Sequence, residues 1–271
     1  MKLQSTLVNG LLWLAALIAV APLLWMLSVS LMHTGEASNF PPPMLPREPS
    51  LDRYRELLQT GSFGRAFLVS LGLATVSTLV STLLNALAGY GFAKLQFKGR
   101  DMLFALLLGA LVIPGQVGML PLFLMLKHMG LVNTWAGVLI PSMAGIFGIF
   151  LVRQYALGLP SELIEAARID GASEARIFFL VVLPLLTPVL VTLAVLSFLG
   201  SWNDFMWPLI VLTDGQLYTL PVALAALSRE HVQDVEMMMA GAVITVVPVL
   251  ILFLTLQRYY MQGLLMGGVK Q

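Results

Sequence analysis

Residues able to carry out chemistry are few in this chain, and their spacing excludes several kinds of site. There is no cysteine, so thiolate catalysis, disulfides and cysteine-ligated metal centres are excluded. No Gly-Lys pair occurs, so the chain lacks the phosphate-binding loop of an ATPase. His33, His128 and His231 are scattered, and no metal-binding pattern connects them. The residues therefore predict a chain that is not an enzyme and binds no cofactor or metal itself.

One short stretch concentrates the charged residues. Its seven charges are Arg153, Glu162, Glu165, Arg168, Asp170, Glu174 and Arg176. Pro160-Ser161-Glu162 is typical of a helix start with an acid in the first turn. Gly171 suits the left-handed turn that ends many helices. The stretch therefore predicts a helix of about ten residues over Glu162–Gly171.

The side chains of this predicted helix leave two interpretations open. Ala166 and Ala167 are small and permit the close approach of another surface, while Leu163, Ile164 and Ile169 surround them. A helix this short is marginal in water by propensity alone. It is either a docking element that enters a partner's groove or a surface helix that packs only on its own protein.

Composition identifies the elements that must position this helix. Hydrophobic residues make up 58% of the 271 and charged residues 11%, against about 25% charged in soluble domains. This balance excludes a soluble globular enzyme and a disordered chain, and a net charge of +1 gives no basic field for nucleic acid. Six charge-free windows exceed twenty residues: Leu3–Gly35, Ala66–Ala93, Met102–Leu126, His128–Val152, Ile177–Asn203 and Met237–Gln257.

These windows predict six transmembrane helices in an all-α integral membrane protein, because about 20 apolar residues cross a bilayer. A seventh window, Gly215–Ser228, is too short to span and contains Pro221, so a re-entrant or surface segment is expected. The apolar run after Met1-Lys2 exceeds a signal-peptide core and lacks a clear cleavage site. We expect it to remain as an uncleaved anchor.

Six spans place both termini on one side, and the basic residues favour the cytoplasm. That side then holds nine Lys and Arg residues and the other side six, with three in the short 94–101 loop. The chain is predicted to be a single transmembrane domain, 1–271. Its loops are an outer loop at 33–65, a cytoplasmic loop at 153–176, an outer loop at 203–236 and a cytoplasmic tail at 258–271.

Several local features within this frame can be predicted. Ser50 is expected to cap a short helix in the first outer loop, with Leu51, Tyr54, Leu57 and Leu58 on its apolar face. The prolines of the third, fifth and sixth spans are Pro114, Pro121, Pro184, Pro188 and Pro248. Each predicts either an ordinary kink or a broken helix beside a transport path.

The spacing around the charged stretch resembles a known signature. Glu165-Ala166-Ala167, three residues, Gly171, nine residues and then Val181-x-Leu183-Pro184 is similar to the EAA motif of ABC-importer permeases. The family has Ile where this chain has Val181. The motif lies before the penultimate span, as the family requires.

Further segments extend the resemblance over nearly the whole chain. They are Gly130-Leu-Val-Asn-Thr-Trp-Ala-Gly, Gly200-Ser-Trp-Asn-Asp-Phe-Met-Trp-Pro, Tyr218-Thr-Leu-Pro and Gly267-Gly268-Val269-Lys270. Together they resemble the second permease subunit of maltose-type carbohydrate importers. The resemblance implies a type I ABC-importer permease architecture with six spans in a bacterial inner membrane.

The resemblance also implies roles for particular residues. The segment from Glu162 through Asp170 to Gly171 is the expected coupling helix, docked in a groove of a cytoplasmic ATPase dimer. Glu165 is expected to pair with a basic residue there, with Ala166 and Ala167 in close contact. The tail residues Gly267, Gly268 and Lys270 are expected to reach the ATPase. ATP and Mg²⁺ belong to that partner.

The remaining expected partners are a second homologous permease, an extracytoplasmic solute-binding protein, a sugar and the lipid bilayer. Trp202, Asn203, Asp204 and Trp207 cluster near the outer mouth and are candidates for the substrate path. An interfacial aromatic belt explains them equally well. Alternative functions are import of glycerol phosphate or another polyol-type solute, and an ATP-independent secondary carrier. A carrier usually keeps ionisable groups or inverted repeats within its spans, and neither is evident here.

Overall fold

The computed structural model describes residues 2–59, 62–230 and 234–268. Every regular element within these ranges is helical. The helices are α1 Lys2–Ser30, α2 Asp52–Gln59, α3 Ser62–Lys94, α4 Arg100–Ala110, α5 Met119–His128, α6 Trp135–Leu139, α7 Ile146–Leu157, α8 Ser161–Ile169, α9 Glu174–Ile177, α10 Leu183–Leu185, α11 Thr187–Trp202, α12 Met206–Val211, α13 Leu220–Glu230 and α14 Val235–Gly268. Short 3₁₀ segments lie at Gly115–Gly118, Ile140–Ser142 and Gly215–Leu217, and a π-helical segment lies at Phe178–Val182.

Within the described residues, four helical segments are long and apolar enough to cross a bilayer. They are Thr6–Ser30, Ser62–Lys94, Trp135–Leu157 and Val235–Thr255. Two bent pairs, Arg100–Ala110 with Gly115–His128 and Glu174–Leu185 with Thr187–Trp202, meet the same test when each pair is taken together. Counting each pair as one span gives the six predicted from the charge-free windows. The predicted seventh segment appears as the short helix α13.

The prolines have different effects in different spans. The third span bends by 96° where Pro114 follows α4, and the fifth bends by 81° between α10 and α11, close to Pro184 and Pro188. Pro248 instead lies inside the continuous helix α14. Proline removes a backbone donor and clashes with the preceding turn. The result is thus a broken helix in two spans and an uninterrupted helix in the last.

The chain forms two compact units, each with its own contacts. The first takes its residues from Met1–Phe67 and Thr219–Leu250. Ser50 lies one position before the N-cap position of α2, and its Oγ accepts the N–H of Asp52, the first residue of the helix, at 3.0 Å. Of the predicted apolar face of α2, Leu57 is buried, whereas Leu51 and Leu58 are exposed.

Polar contacts join the first outer loop to the start of α14 within this unit. Arg53 donates to Asp234 Oδ2 at 3.2 Å, and the Ala37 N–H donates to Glu236 Oε1 at 2.8 Å. Glu236 has no exposed surface. Asp234 also caps α14 by accepting the Met237 N–H at 2.9 Å. The loop is therefore held to the last span by side chains as well as by the backbone.

The second unit takes its residues from Leu68–Tyr218 and Ile251–Gln271. One of its buried clusters packs α3, α7 and the fifth span around Tyr90, Val152, Ile177, Phe178 and Val182. Ile164 of α8 belongs to the same cluster and is 4% exposed. The cluster therefore connects the charged loop directly to the spans.

A buried amide supports the break in the Trp135–Leu157 span. Asn85 is 2% exposed, and its Oδ1 accepts the Gly145 N–H at 3.0 Å, just before α7 begins. Ser77 and Ser142 share a hydroxyl hydrogen bond of 3.1 Å. Backbone groups freed within a bilayer must find partners in the protein. Asn85 of α3 provides such a partner for the Gly145 N–H at this break.

Close packing of α3 on α7 leads to a stability prediction for Gly89. A Cβ at Gly89 lies 2.7 Å from Cβ and Cγ1 of Val152 and 3.0 Å from the backbone nitrogen of Arg153. We expect Gly89→Ala to destabilise the protein by about 1–3 kcal/mol through overpacking. The apparent unfolding temperature of the detergent-solubilised protein measures this effect.

Gly91→Ala is the matched control for this prediction. Gly91 lies in the same helix, and a Cβ there meets nothing within 4 Å. It gains up to about 1 kcal/mol of helix propensity, so its unfolding temperature should stay unchanged or rise. Equal unfolding temperatures for the two variants contradict the close contact.

Candidate functional site: the charged loop and its helix

The helix predicted in the charged loop is present as α8. Pro160 precedes Ser161, Glu162 lies in the first turn and Arg168 in the last. Acids near a helix N-terminus and bases near its C-terminus stabilise the helix dipole. Local sequence thus explains both the existence of α8 and its bounds.

The end of α8 is a Schellman motif. Gly171 has φ +80°, its N–H bonds the Arg168 carbonyl at 3.0 Å, and the Ala172 N–H bonds the Ala167 carbonyl at 3.0 Å. These are the two hydrogen bonds that define the motif, and the left-handed residue is the one that favours glycine. Ser173 then caps α9 by accepting the Arg176 N–H at 3.4 Å. The predicted turn at Gly171 is confirmed.

The faces of α8 differ in burial. Ile164 faces the spans, and Ala167 packs partly against the same cluster. Leu163 is 46% exposed and Ile169 is 87% exposed, with Ala166 exposed on the same side. Leu163, Ala166 and Ile169 are spaced three residues apart, so they lie on successive turns of the same side of α8. The helix therefore presents a small apolar surface that its own protein leaves uncovered.

The predicted polar residues border this surface. Glu162, Glu165 and Asp170 are exposed, and Gly171 is exposed at the turn that follows. An apolar centre with charged edges is the usual composition of a protein interface. The structure brings together the six predicted coupling residues on one short helix and its C-terminal turn, and their contact with an ATPase stays a prediction.

Two ends of α8 are attached to the rest of the second unit by polar contacts. Before the helix, Lys94 Nζ donates to the Leu159 carbonyl at 2.6 Å and to Ser161 Oγ at 3.2 Å. After it, Arg168 donates to both carboxylate oxygens of Glu174, at 2.6 and 3.2 Å. Sequence reasoning did not assign these partners, because Lys94 lies 67 positions from Ser161.

The four residues predicted for the substrate path are placed in different environments. Trp202 is fully buried and stacks on Phe198 at 5.8 Å between ring centroids. Trp207 is also buried, and its Nε1–H donates to the Gly137 carbonyl at 3.1 Å. Asn203 is exposed. The indoles are thus engaged in packing, and a role in the substrate path stays a prediction.

Asp204 acts as a local cap beyond the end of the fifth span. Its Oδ1 accepts the Trp207 N–H at 3.3 Å, just before α12. Burial raises the pKa of the Asp204 carboxyl, while the N–H groups of Trp207 and Met206 lower it. The structure thus assigns this side chain a structural contact.

Sequence reasoning missed a side-chain contact in the same part of the second unit, in which Asn133 bonds the backbone of a distant loop. Asn133 has φ +58°, and its Oδ1 accepts the N–H groups of Thr213 and Asp214 at 2.9 and 3.0 Å. Asparagine tolerates the left-handed region better than most residues. The only sequence signal for Asn133 was its place in the segment Gly130-Leu-Val-Asn. That spacing does not show which backbone groups its side chain contacts.

A groove of about 580 Å³ lies beside the bend of the fifth span. Its lining is mostly apolar and includes Thr78, Thr82 and Thr187. The Thr78 hydroxyl already donates to the Ala74 carbonyl at 2.6 Å, and the Thr187 hydroxyl to the Pro184 carbonyl at 2.7 Å. The lining therefore offers few hydrogen-bonding groups to a sugar.

The predicted tail contacts are only partly within the described residues. Gly267 and Gly268 form the end of α14, and Lys270 lies outside the described residues. In the part of the chain that the structure describes, no three His, Asp or Glu side chains are grouped to hold a metal ion.

Comparison with known proteins gives extensive matches. Residues 81–265 match the family model described as binding-protein-dependent transport system inner membrane component. The arabinooligosaccharides transport system permease protein AraQ of Halalkalibacterium halodurans is 41% identical over 262 residues, covering 94% of this chain and 92% of AraQ. The melibiose/raffinose/stachyose import permease protein MelC of Bacillus subtilis is 34% identical over 263 residues, covering 95% of each chain.

Two solved structures have a similar fold. A chain in the crystal structure of a bacterial ABC transporter involved in the import of the acidic polysaccharide alginate matches with a TM-score of 0.86. It is 23% identical, and the match covers 96% of this chain and 97% of that one. A chain of the bacterial alginate ABC transporter in complex with alginate pentasaccharide-bound periplasmic protein matches with a TM-score of 0.67, 17% identity and coverage of 96% and 95%.

Proposed function

The chain belongs to the family of binding-protein-dependent transport system inner membrane components, and on that premise we propose that it is the carbohydrate-specific permease half of an ATP-driven importer, with α8 as its coupling helix. The chain is a multi-pass transport subunit of the inner membrane, not an enzyme. The observation that carries the proposal is the exposed apolar surface of α8, bordered by Glu162, Glu165 and Asp170 and fixed to the spans by Ile164.

The chemistry of the substrate is inferred from the relatives. AraQ is named for arabinooligosaccharides and MelC for melibiose, raffinose and stachyose. These are neutral oligosaccharides, and the six charge-free windows contain no cationic residue to bind a phosphate ester. A neutral oligosaccharide is therefore favoured over glycerol phosphate. A second, homologous permease supplies the other half of the pathway.

The mechanism follows from the position of α8. It lies after α7 and before α9, so a displacement of α8 acts on the fourth and fifth spans together. Closure of an ATPase dimer on ATP and Mg²⁺ moves the helix as a rigid lever. The spans then change between inward-open and outward-open arrangements around a central cavity. An extracytoplasmic solute-binding protein delivers the sugar to the outward-open state.

The sidedness of the chain is part of the same proposal. The basic residues favour a cytoplasmic position for the 153–176 loop and both termini. Lys94 and Arg153 support it, because both contact residues at the same end of the second unit as α8. A protease, or a thiol-labelling probe on single cysteines introduced into the 153–176 loop, added from either side of sealed vesicles tests this orientation.

The experiment for the function is ATP hydrolysis by the complex reconstituted with its ATPase, second permease and binding protein. We expect hydrolysis to be stimulated by the binding protein with arabino-oligosaccharides or raffinose, which are neutral, and not with alginate oligosaccharides, which are acidic. Glycerol phosphate and other polyol-type solutes form the contrasting arm. If only glycerol phosphate or another polyol-type solute stimulates hydrolysis, the substrate is not a carbohydrate of the proposed class. Uptake by the chain without any ATPase indicates a secondary carrier.

A further inference from the structure

One turn at the end of α3 contacts both sides of the coupling helix. Tyr90 and Lys94 are four positions apart, so they lie on the same face of α3. Lys94 bonds Leu159 and Ser161, at the start of α8. The Tyr90 hydroxyl donates to Glu174 Oε2 at 3.3 Å, and Glu174 accepts Arg168, in the last turn of α8. The two contacts therefore hold opposite ends of one nine-residue helix.

Glu174 is the centre of the contact at the C-terminal end. Its Oε1 accepts Arg168 Nε, and its Oε2 accepts both Arg168 Nη2 and the Tyr90 hydroxyl. A bidentate arginine–carboxylate pair fixes orientation as well as distance. Glu174 also begins α9, the first helical turn of the fifth span. The carboxylate thus connects α8, α3 and the fifth span.

These contacts contribute orientation more than stability. The Arg168 and Glu174 side chains are 42% and 51% exposed, and ion pairs this exposed add little to the free energy of unfolding. Ile164 and the buried cluster hold α8 to the protein without them. A helix held only at Ile164 can pivot around that point, whereas one held also at both ends moves together with α3 and the fifth span.

We propose that Tyr90, Lys94, Arg168 and Glu174 are positioning residues that clamp both ends of the coupling helix to α3 and the fifth span, so that movement of the helix is transmitted to the spans. This inference rests on the proposed function. The four residues act through α8 and not by contact with the solute. Loss of the clamp uncouples ATP hydrolysis from transport without detaching the ATPase.

The experiment compares variants of the full complex in proteoliposomes with its ATPase, second permease and binding protein. Glu174→Gln removes the ion pair while keeping the size of the side chain, and Arg168→Gln removes it with a shorter, uncharged polar side chain. For both we expect the ATPase to co-purify as in the wild type, and the solute transported per ATP hydrolysed to fall by about five-fold or more, the range of ordinary coupling free energies. Lys98→Gln is the control, because it removes an exposed charge from the 94–101 loop outside the clamp.

A charge swap separates positioning from a direct contact with the ATPase. Arg168→Glu combined with Glu174→Arg restores the ion pair, so its coupling ratio should exceed that of Arg168→Glu alone. The proposal is overturned if both glutamine variants keep the wild-type ratio. It is also overturned if they lose the ATPase and the swap does not recover it, because Arg168 then binds the partner directly. A wild-type complex without ATPase or transport contradicts the proposed function instead.

Discussion

Replacing Glu165 by lysine is expected to abolish solute uptake while leaving the chain inserted in the membrane. Glu165 is exposed on the coupling helix and belongs to the EAA motif, so its proposed partner is a basic residue of the ATPase. Lysine there places two like charges against each other. Such a juxtaposition costs several kcal/mol, and since about 1.4 kcal/mol is a tenfold change, we expect binding of the ATPase to weaken by about 100-fold or more.

The measurements are uptake of labelled solute and co-purification of the ATPase, each normalised to the amount of chain in the membrane. Glu48→Lys is the matched control, because it reverses an exposed acid in the first outer loop and should leave both unchanged. Normal uptake by the Glu165→Lys variant shows that this carboxylate is not part of the ATPase interface.

The second large effect is expected at Gly171. Substitution there should decrease transport most for valine, less for alanine and least for asparagine. Gly171 has φ +80°, and a Cβ there meets nothing within 4 Å, so backbone strain is the only direct penalty. The left-handed region costs an L-residue about 1–2 kcal/mol, and β-branched residues tolerate it least, whereas asparagine is comparatively favourable. Relief of this strain rotates the chain that follows α8 and displaces the coupling surface.

Gly99 provides the control for this series. It has φ +81°, a Cβ there also meets nothing within 4 Å, and it lies in the neighbouring 94–101 loop. Gly99→Val therefore introduces similar backbone strain without changing α8. If uptake falls equally in the valine variants at both positions, the effect is general strain and not loss of the coupling surface.

The existence of the spans and of α8 could be predicted because both depend on local rules. A bilayer requires about 20 apolar residues for each span, and the charge-free windows agree with the four long segments and two bent pairs of the structure. The helix from Ser161 to Ile169 begins after a proline and ends in a glycine turn. Each signal lies within a few residues of the feature that it predicts.

The breaks in the spans could not be predicted in the same way. Pro114 precedes a bend of 96°, whereas Pro22 and Pro248 lie inside continuous helices. Proline removes a donor in every case. Whether the helix then opens depends on neighbours that can satisfy the freed groups, as Asn85 does for Gly145 in the fourth span. Those neighbours are distant in the sequence.

The aromatic residues after the fifth span show the same limit. Trp202 and Trp207 were predicted either to line a path or to form an interfacial belt, and the structure buries both. An indole has the same chemistry whether it lines a path, lies at the membrane interface or is buried within the protein. Only the position of Gly137 and Phe198 shows what the indoles contact.

The sequence alone determined that this protein crosses a membrane several times and has one short charged helix whose motif resembles that of importer permeases. Hydropathy, helix capping and motif spacing all act over short distances, so each can be identified without the tertiary structure. Only the tertiary structure decided how that helix is attached. Tyr90 and Lys94 reach residues 65 to 84 positions away, and nothing local specifies such pairs. They form because the packing of the spans brings the end of α3 against the coupling helix, where their polar groups bond the loop.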